Sequence, residues 1–247
     1  MSTKLGIVSA KGGVGKTTTA INLATSLYDF NQEVTLVDAN TLNPNISLHL
    51  DLPPSNYDLQ NVLNAGSGIH RAVKAHHSGL KVVASSIAID DTHANICRLK
   101  KVLEELDGTV ILDSPPSIGE DMKHIMDSAD KLVVVTTPEL PAVVDSAKTI
   151  KFAKRMNKQV VGVVVNRVKG DSYELTRDEI EIICEAPVIS KIPEDNEVRK
   201  ANFQSMAVVR YNPYSKATIA FNNLAARLLG RSYKQPSMLS IKRLLRF

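Results

Sequence analysis

A glycine-rich segment near the start of the chain limits what the rest can become. It reads Gly6-Ile7-Val8-Ser9-Ala10-Lys11-Gly12-Gly13-Val14-Gly15-Lys16-Thr17-Thr18. Leu5 to Val8 has the length and apolarity of a buried strand, and Thr17 to Tyr28 reads as a helix, so the glycines fall where strand turns into helix. The phosphate-loop pattern G-x-x-x-x-G-K-[ST] ends here on Gly15-Lys16-Thr17, and a second lysine stands at Lys11. Gly12, Gly13 and Gly15 let the backbone curl until successive N–H groups, those of Val14 and Thr18 included, face one phosphate chain together with the positive end of the helix. Lys16 is expected to reach the β- and γ-phosphates, and Thr17 to offer its hydroxyl to Mg2+. The alternative is a glycine-rich turn with no ligand, and the strand–helix context argues against it.

Acids at later strand ends gain meaning from that loop. Glu33 to Asp38 reads as a second strand, and Thr109 to Asp113, followed by Ser114-Pro115-Pro116, as another. Asp113 is expected to hold Mg2+ through a water, with the loop beyond it sensing the γ-phosphate. Asp38 is expected near the metal or the attacking water, although an acid in this place can also cap its own loop. Between these strands, residues 53–79 read as small helices over a sheet face, Leu80 to Ala84 as a strand, and Leu99 to Leu106 as part of a helix. Alternation continues with the strand Lys131 to Thr136, the helix Ala142 to Met156, the strand Gln159 to Val165, the helix Tyr173 to Cys184 and the short strand Pro187 to Ile189. A final helix from Pro213 to about Leu229 stops at Gly230. The expected fold is α/β, a doubly wound and mostly parallel sheet with helices on both faces. Ligands in such sheets sit at the carboxyl ends of the strands, so Lys11, Asp38, Asp113, Thr136, Asn166 and Ile192 to Glu194 should converge on one rim.

Composition narrows the setting. The chain has 247 residues, 43% hydrophobic and 23% charged, which suits one large soluble domain. No apolar stretch approaches a membrane span, and Met1-Ser2-Thr3-Lys4 runs into the first strand without a signal peptide, so a cytoplasmic location is expected. Cys97 and Cys184 stand apart, with no Cys-x-x-Cys and no Cys/His cluster, which speaks against a metal or iron–sulfur site.

The net charge of +4 is unevenly placed. Residues 231–247 hold Arg231, Lys234, Lys242, Arg243 and Arg246 and no acid; without these five, the 30 basic residues fall to 25 against 26 acids. A near-neutral body disfavours nucleic acid as a partner and makes the tail the contact with something anionic. The chain divides into a body, 1–230, a polar linker, 231–236, and a terminal segment, 237–247. On a helix of 100° per residue, Met238, Ile241, Leu244 and Leu245 share one face while Lys242, Arg243 and Arg246 gather on another. That pattern predicts an amphipathic helix lying on an anionic membrane; a last helix docked on the body is the alternative. Three cations near such a surface contribute about 3 kcal/mol, and ordering the segment costs on the order of 1–2 kcal/mol per backbone residue, so one tail should bind weakly. Two tails on a dimer would gain ~10²–10⁴ in avidity.

Lys11-Gly12-Gly13-Val14-Gly15-Lys16-Thr17-Thr18 resembles the deviant phosphate loop of the MinD/ParA family of P-loop ATPases. Asp113-Ser114-Pro115-Pro116, Thr137-Pro138-Glu139, Val165-Asn166-Arg167 and Ile192-Pro193-Glu194-Asp195 extend the resemblance, closest to the MinD branch, over nearly the whole chain. The resemblance implies an ATP- and Mg2+-dependent homodimer in which Lys11 crosses to the other subunit's nucleotide, so that hydrolysis needs two copies. It further implies that Asn166, Arg167 and Pro193 belong to the nucleotide site, with Asn166 and Pro193 at the adenine, and that the terminal helix targets the protein peripherally to the cytoplasmic face of the membrane. Asp145 matches a position used for regulatory partner proteins, although a lone exposed acid is usually just solvated. The function implied is an ATPase that cycles on and off the membrane to position cell-division or other machinery; a ParA-like DNA-partition ATPase is the alternative. One departure stands out. Relatives often carry Asp-x-Asp after the second strand, where this chain has Asp38-Ala39-Asn40. An amide can orient a water but cannot take its proton, so Asn40 in a catalytic role predicts slowed hydrolysis.

Overall fold

Strand formation is driven by short apolar runs that helices cover on both sides. The structure, a computed structural model, describes residues 2–86 and 94–235. Its strands are β1 (Thr3–Val8), β2 (Val34–Asp38), β3 (Val73–Ala75), β4 (Lys81–Val83), β5 (Thr109–Asp113), β6 (Lys131–Thr136), β7 (Gln159–Val168) and β8 (Val188–Pro193). They form one sheet in the order β3-β4-β2-β5-β1-β6-β7-β8, parallel throughout except for the β3–β4 pair. Helices are α1 (Lys16–Asp29), α2 (Ile46–His49), α3 (Leu59–Ala65), α4 (Leu99–Leu103), α5 (Glu120–Ser128), α6 (Leu140–Arg155), α7 (Arg177–Cys184), α8 (Asn196–Phe203), α9 (Val208–Tyr211) and α10 (Lys216–Leu228).

Successive strand residues point to opposite faces and so feed two separate cores. Val8, Val37, Leu112, Val134 and Val165 pack with Leu59, Leu99, Ile125, Ile150 and Ile180 on one side. Ile7, Leu36, Ile111, Val133 and Val164 pack with Leu23, Val208, Phe221 and Leu224 on the other. Because both faces are covered, the central strands read as continuous apolar runs, as the sequence implied. From β1 the chain crosses to β2 on one side, and β6 lies on the other. The crevice above β1 is therefore a topological switch point, where doubly wound sheets bind ligands.

Several elements differ from expectation for local reasons. Residues 73–75, expected among small helices, form the antiparallel edge strand β3, with Val73 opposite Val83. A tight turn closes that hairpin: Gly79 N–H donates to the His76 carbonyl at 2.7 Å, and Gly79 has φ +86, a conformation that glycine adopts without strain. Three residues are too few to show a period of two. α7 starts later than Tyr173 because Thr176 caps it: its hydroxyl accepts the Glu179 N–H, and the Glu179 carboxylate accepts the Thr176 N–H at 2.8 Å. β7 and β8 run further than expected, placing Asn166, Arg167, Ile192 and Pro193 within the last turns of strands rather than after them. Helices α2, α5, α8 and α9 fall outside the elements that the sequence pattern predicts.

α10 ends where Gly230 adopts φ +67. Of the expected linker, Tyr233 lies against the body, its ring 5.9 Å from that of Phe30 and its hydroxyl accepting from Asn222 Nδ2 at 3.2 Å. The membrane residues expected at Met238, Ile241, Lys242, Arg243, Leu244, Leu245 and Arg246 lie outside the described residues. Among the described residues no helix is long and apolar enough to cross a membrane, and no group of three or more metal-ligating side chains is found. Cys184 is buried and Cys97 exposed. Cys97 Sγ lies 3.3 Å from His124 Nε2, a proximity hidden by the 27 residues between them.

Candidate functional site

The loop between β1 and α1 is shaped by two glycines in the left-handed region, Gly13 at φ +76 and Gly15 at φ +93. A Cβ on Gly15 would lie 2.2 Å from Asn166 Nδ2, so a side chain is excluded there on two grounds. The leading position of the general phosphate-loop pattern falls on Ala10, whose φ is not positive, so its methyl group is tolerated. Ala10 is clasped from both sides: its N–H donates to Thr149 Oγ1 of α6 at 3.1 Å, and its carbonyl accepts from the Ser117 N–H at 2.8 Å. The loop is thereby tied to α6 and to the segment after Asp113.

The two lysines of the loop are held differently. Lys16 is 7% exposed, and its ammonium donates to the Lys11 carbonyl at 3.2 Å, folding back over its own loop. Burial pushes its pKa below the usual lysine value, an effect opposed by the charge of Asp113. The Lys11 side chain is half-buried, and its ammonium has no hydrogen bond or ion pair among the described residues.

Two carboxylates share the neighbouring strand ends. Asp38 and Asp113 are in register on the adjacent strands β2 and β5, and neither is more than 1% exposed. Thr17 Oγ1 donates to Asp113 Oδ2 at 2.6 Å, while Asp113 Oδ1 is buried without a hydrogen-bond partner. Burial raises the Asp113 pKa to about 6, with the Thr17 hydrogen bond and the Lys16 charge opposing. Burial, and then repulsion from Asp113, raises Asp38 to about 8, against three backbone hydrogen bonds that favour its charged form. An orphaned carboxylate oxygen beside a hydroxyl and a second crowded acid fits a divalent cation, which would satisfy the oxygen and neutralise both charges. Thr17 and Asp113 are residues that could hold Mg2+, with Asp38 on the adjacent strand end.

Asp38 also does what a loop-capping acid does. Its Oδ2 accepts the N–H groups of Asn45 and Ile46, each at 3.0 Å, and its Oδ1 that of Asn40 at 3.2 Å. Asn40 turns into the same loop: Nδ2 donates to the Asn43 carbonyl at 2.5 Å, and Oδ1 accepts the Asn43 N–H at 3.3 Å. In this arrangement its amide closes residues 40–43, and orienting an attacking water would require those bonds to open.

On the other side of α1 lies a cleft of about 340 Å³ lined by Thr18, Asn166, Arg167, Pro193, Val198, Arg199, Asn202 and Phe221, among others. Its volume is in the range of small-molecule sites. The sequence-derived candidates Thr18, Asn166, Arg167 and Pro193 meet here; the wall from α8 and α10 was missed. Asp195 sets that wall, with Oδ1 capping α8 at Glu197 N–H, 3.0 Å, and Oδ2 accepting the Ala217 N–H of α10 at 3.2 Å. An acid followed by a charged helix start was its only sequence signal. Asp145 lies apart on α6, paired with Lys148 at 3.0 Å, on a helix that also exposes Leu140 and Val144.

The family model for the CobQ/CobB/MinD/ParA nucleotide-binding domain matches residues 5–208. An uncharacterised ATP-binding protein of Methanocaldococcus jannaschii is 35% identical over 238 residues, covering 95% of this chain and 90% of its own length. The septum site-determining protein MinD of Bacillus subtilis is 32% identical over 240 residues, covering 92% and 88%. Among solved structures, MinD of Pyrococcus horikoshii complexed with Mg-ADP superposes with a TM-score of 0.86 at 26% identity, covering 92% of this chain and 96% of that one. With a phosphate loop at the switch point and a cation-ready acid pair beside it, the chain belongs to the MinD/ParA family of P-loop ATPases, whose members use ATP and Mg2+.

Proposed function

We propose that this protein is a nucleotide-dependent dimerising switch that cycles on and off an anionic membrane surface at the cytoplasmic face. In this reading the backbone N–H groups of Gly12 to Thr18 bind the phosphates and Lys16 reaches the β- and γ-oxygens. Thr17 and Asp113 would hold Mg2+, which would supply positive charge against that of the phosphates. Asn166 and Pro193 contact the adenine, while Arg167 flanks it. Phosphoryl transfer passes through a loose transition state, so the residues contribute positioning and charge more than base strength. Asp38, in register with Asp113, would add a second acid next to that cation, and Asn40, if released from Asn43, would orient water without taking its proton.

The observation that carries the dimer reading is the contrast between the lysines. Lys16 is committed to its own loop, whereas the Lys11 ammonium has no partner among the described residues and is free to cross to a second copy. Two γ-phosphates brought face to face repel unless cations intervene, and paired Lys11 side chains supply them. Dimerisation then doubles the terminal segments 237–247 and raises their avidity for anionic lipid, and hydrolysis returns weakly binding monomers. The α6 surface around Asp145, with Leu140 and Val144 exposed, is the surface we assign to a regulatory protein partner.

Co-sedimentation with anionic liposomes tests this. The expected result is binding with Mg-ATP, little binding with Mg-ADP, and loss of binding on deleting 237–247. Binding that ignores nucleotide and tail would contradict the reading, and salt-sensitive, ATP-dependent retention on DNA instead would favour the partition alternative.

A further inference from the structure

Asn166 spans the boundary between the two halves of the site. It is 6% exposed at the end of β7, and its Nδ2 donates to the Val14 carbonyl at 2.8 Å, across 152 residues of sequence. The amide occupies the volume that a side chain at residue 15 would need, since a Cβ there would lie 2.2 Å from Nδ2. The missing side chain of Gly15 is what admits Asn166 to the loop.

Elementary peptide geometry gives this bond a direction. A trans peptide is planar and carries its C=O and N–H on opposite sides. Fixing the Val14 carbonyl toward Asn166 therefore points the Gly15 N–H away from it. Gly15, free of side-chain restraint and at φ +93, has little else to stop that peptide from turning over. An asparagine amide has two N–H donors and one carbonyl acceptor, and Val14 uses one donor; Asn166 Oδ1 takes no hydrogen bond among the described residues.

We propose that Asn166 is a positioning residue for the phosphate loop: by anchoring the Val14 carbonyl it orients the Gly15 N–H for a polyphosphate, whether or not a base is bound. Asn166 also lines the cleft proposed for the base, so one side chain would couple base occupancy to the phosphate-binding conformation. This rests on the nucleotide site proposed above, but goes beyond a base contact, because a base contact alone has no effect on a ligand without a base.

The test is to measure binding of Mg-ATP and of Mg-tripolyphosphate, which has the phosphates and no base or sugar. Both are titrated against the unaltered chain, Asn166→Ala and the size-matched Asn166→Asp, with circular dichroism and melting confirming the fold. Leaving the buried Val14 carbonyl without its donor should weaken both ligands by about tenfold in both variants. Hydrogen exchange at residues 12–16 of the ligand-free variants, which needs no ligand to bind, should be faster than in the unaltered chain. A loss confined to ATP, with tripolyphosphate affinity unchanged, would overturn the inference and leave the base contact standing. Failure of tripolyphosphate to bind the unaltered chain would also overturn it, because a loop held ready by Asn166 takes phosphate without a base. If the unaltered chain bound neither ligand, the nucleotide reading itself would fall.

Discussion

The two ends of the site are built on opposite physical principles. At the phosphate end, Lys16, Asp38 and Asp113 are ionisable groups taken almost wholly out of water, and two of them are neighbouring acids in register. At the base end, a partly open cleft is organised by neutral or helix-capping hydrogen bonds from Asn166 and Asp195. The phosphate end is costly until a polyanion and a cation arrive, because each buried charge lacks part of its solvation. The base end costs little either way. Affinity, metal dependence and pH response should therefore reside at the first end, and ligand identity at the second.

Removing a charge from the phosphate end should break that contrast most visibly. Lys16→Ala deletes a largely buried cation that we propose meets the phosphates, a loss of roughly 2–5 kcal/mol, and calorimetric titration should show Mg-ATP affinity falling by about 30-fold or more.

Titration of the acid pair is the next largest effect. Burial raises the pKa of Asp38 to about 8 and of Asp113 to about 6, both above the ordinary aspartate value of 3.8. Groups raised in this way hold protons that the unfolded chain has released, so stability is greatest below about pH 4 and falls as pH rises, levelling off for Asp113 near 6 and for Asp38 near 8. Without ligand, the melting temperature should fall between about pH 4 and about pH 8, the underlying slope in stability being at most about 2.7 kcal/mol per pH unit while both acids hold extra protons and about 1.4 while Asp38 alone does. Asp113→Asn, which removes the repulsion, and saturating Mg-ADP should each flatten the profile. A profile equally steep in Asp113→Asn would show that the two acids do not interact.

Asn40 gives the smallest effect and sharpens the boundary of the charged end. Single-turnover hydrolysis should be faster in Asn40→Asp, while the lost donor to the Asn43 carbonyl should cost about 1 kcal/mol in a denaturant melt. Equal rates would confine Asn40 to closing its loop.

The sequence made the phosphate end legible and left half of the base end hidden, for physical reasons. Lys16, Thr17 and Asp113 are near each other in the fold because buried strands end beside one another, and both the apolar runs and their terminal acids are visible in the chain. The dual engagement of Asp38 also follows from its place before the turn-rich segment Ala39 to Asn45. By contrast, Val198, Arg199 and Asn202 line the cleft from an eight-residue helix of low overall hydrophobicity, whose only exposed cue is the cap at Asp195. The Asn166–Val14 bond depends on two segments meeting from opposite ends of the chain, which no local pattern encodes. Strand β4 was legible as the apolar run Leu80 to Ala84, but its antiparallel partner β3 was not, because three residues are too few to carry a period.

The central claim is that the second lysine of the loop converts a nucleotide site into half of a shared one. Sedimentation of the unaltered chain and of Lys11→Ala, with ATP binding measured alongside, tests it most directly. The unaltered chain should become a dimer with Mg-ATP, whereas Lys11→Ala should bind ATP within about fivefold of normal, since a half-buried, unpaired cation contributes about 1 kcal/mol or less to its own subunit's site, and remain a monomer. Equal dimerisation by Lys11→Ala, or a monomer in both, would contradict the account.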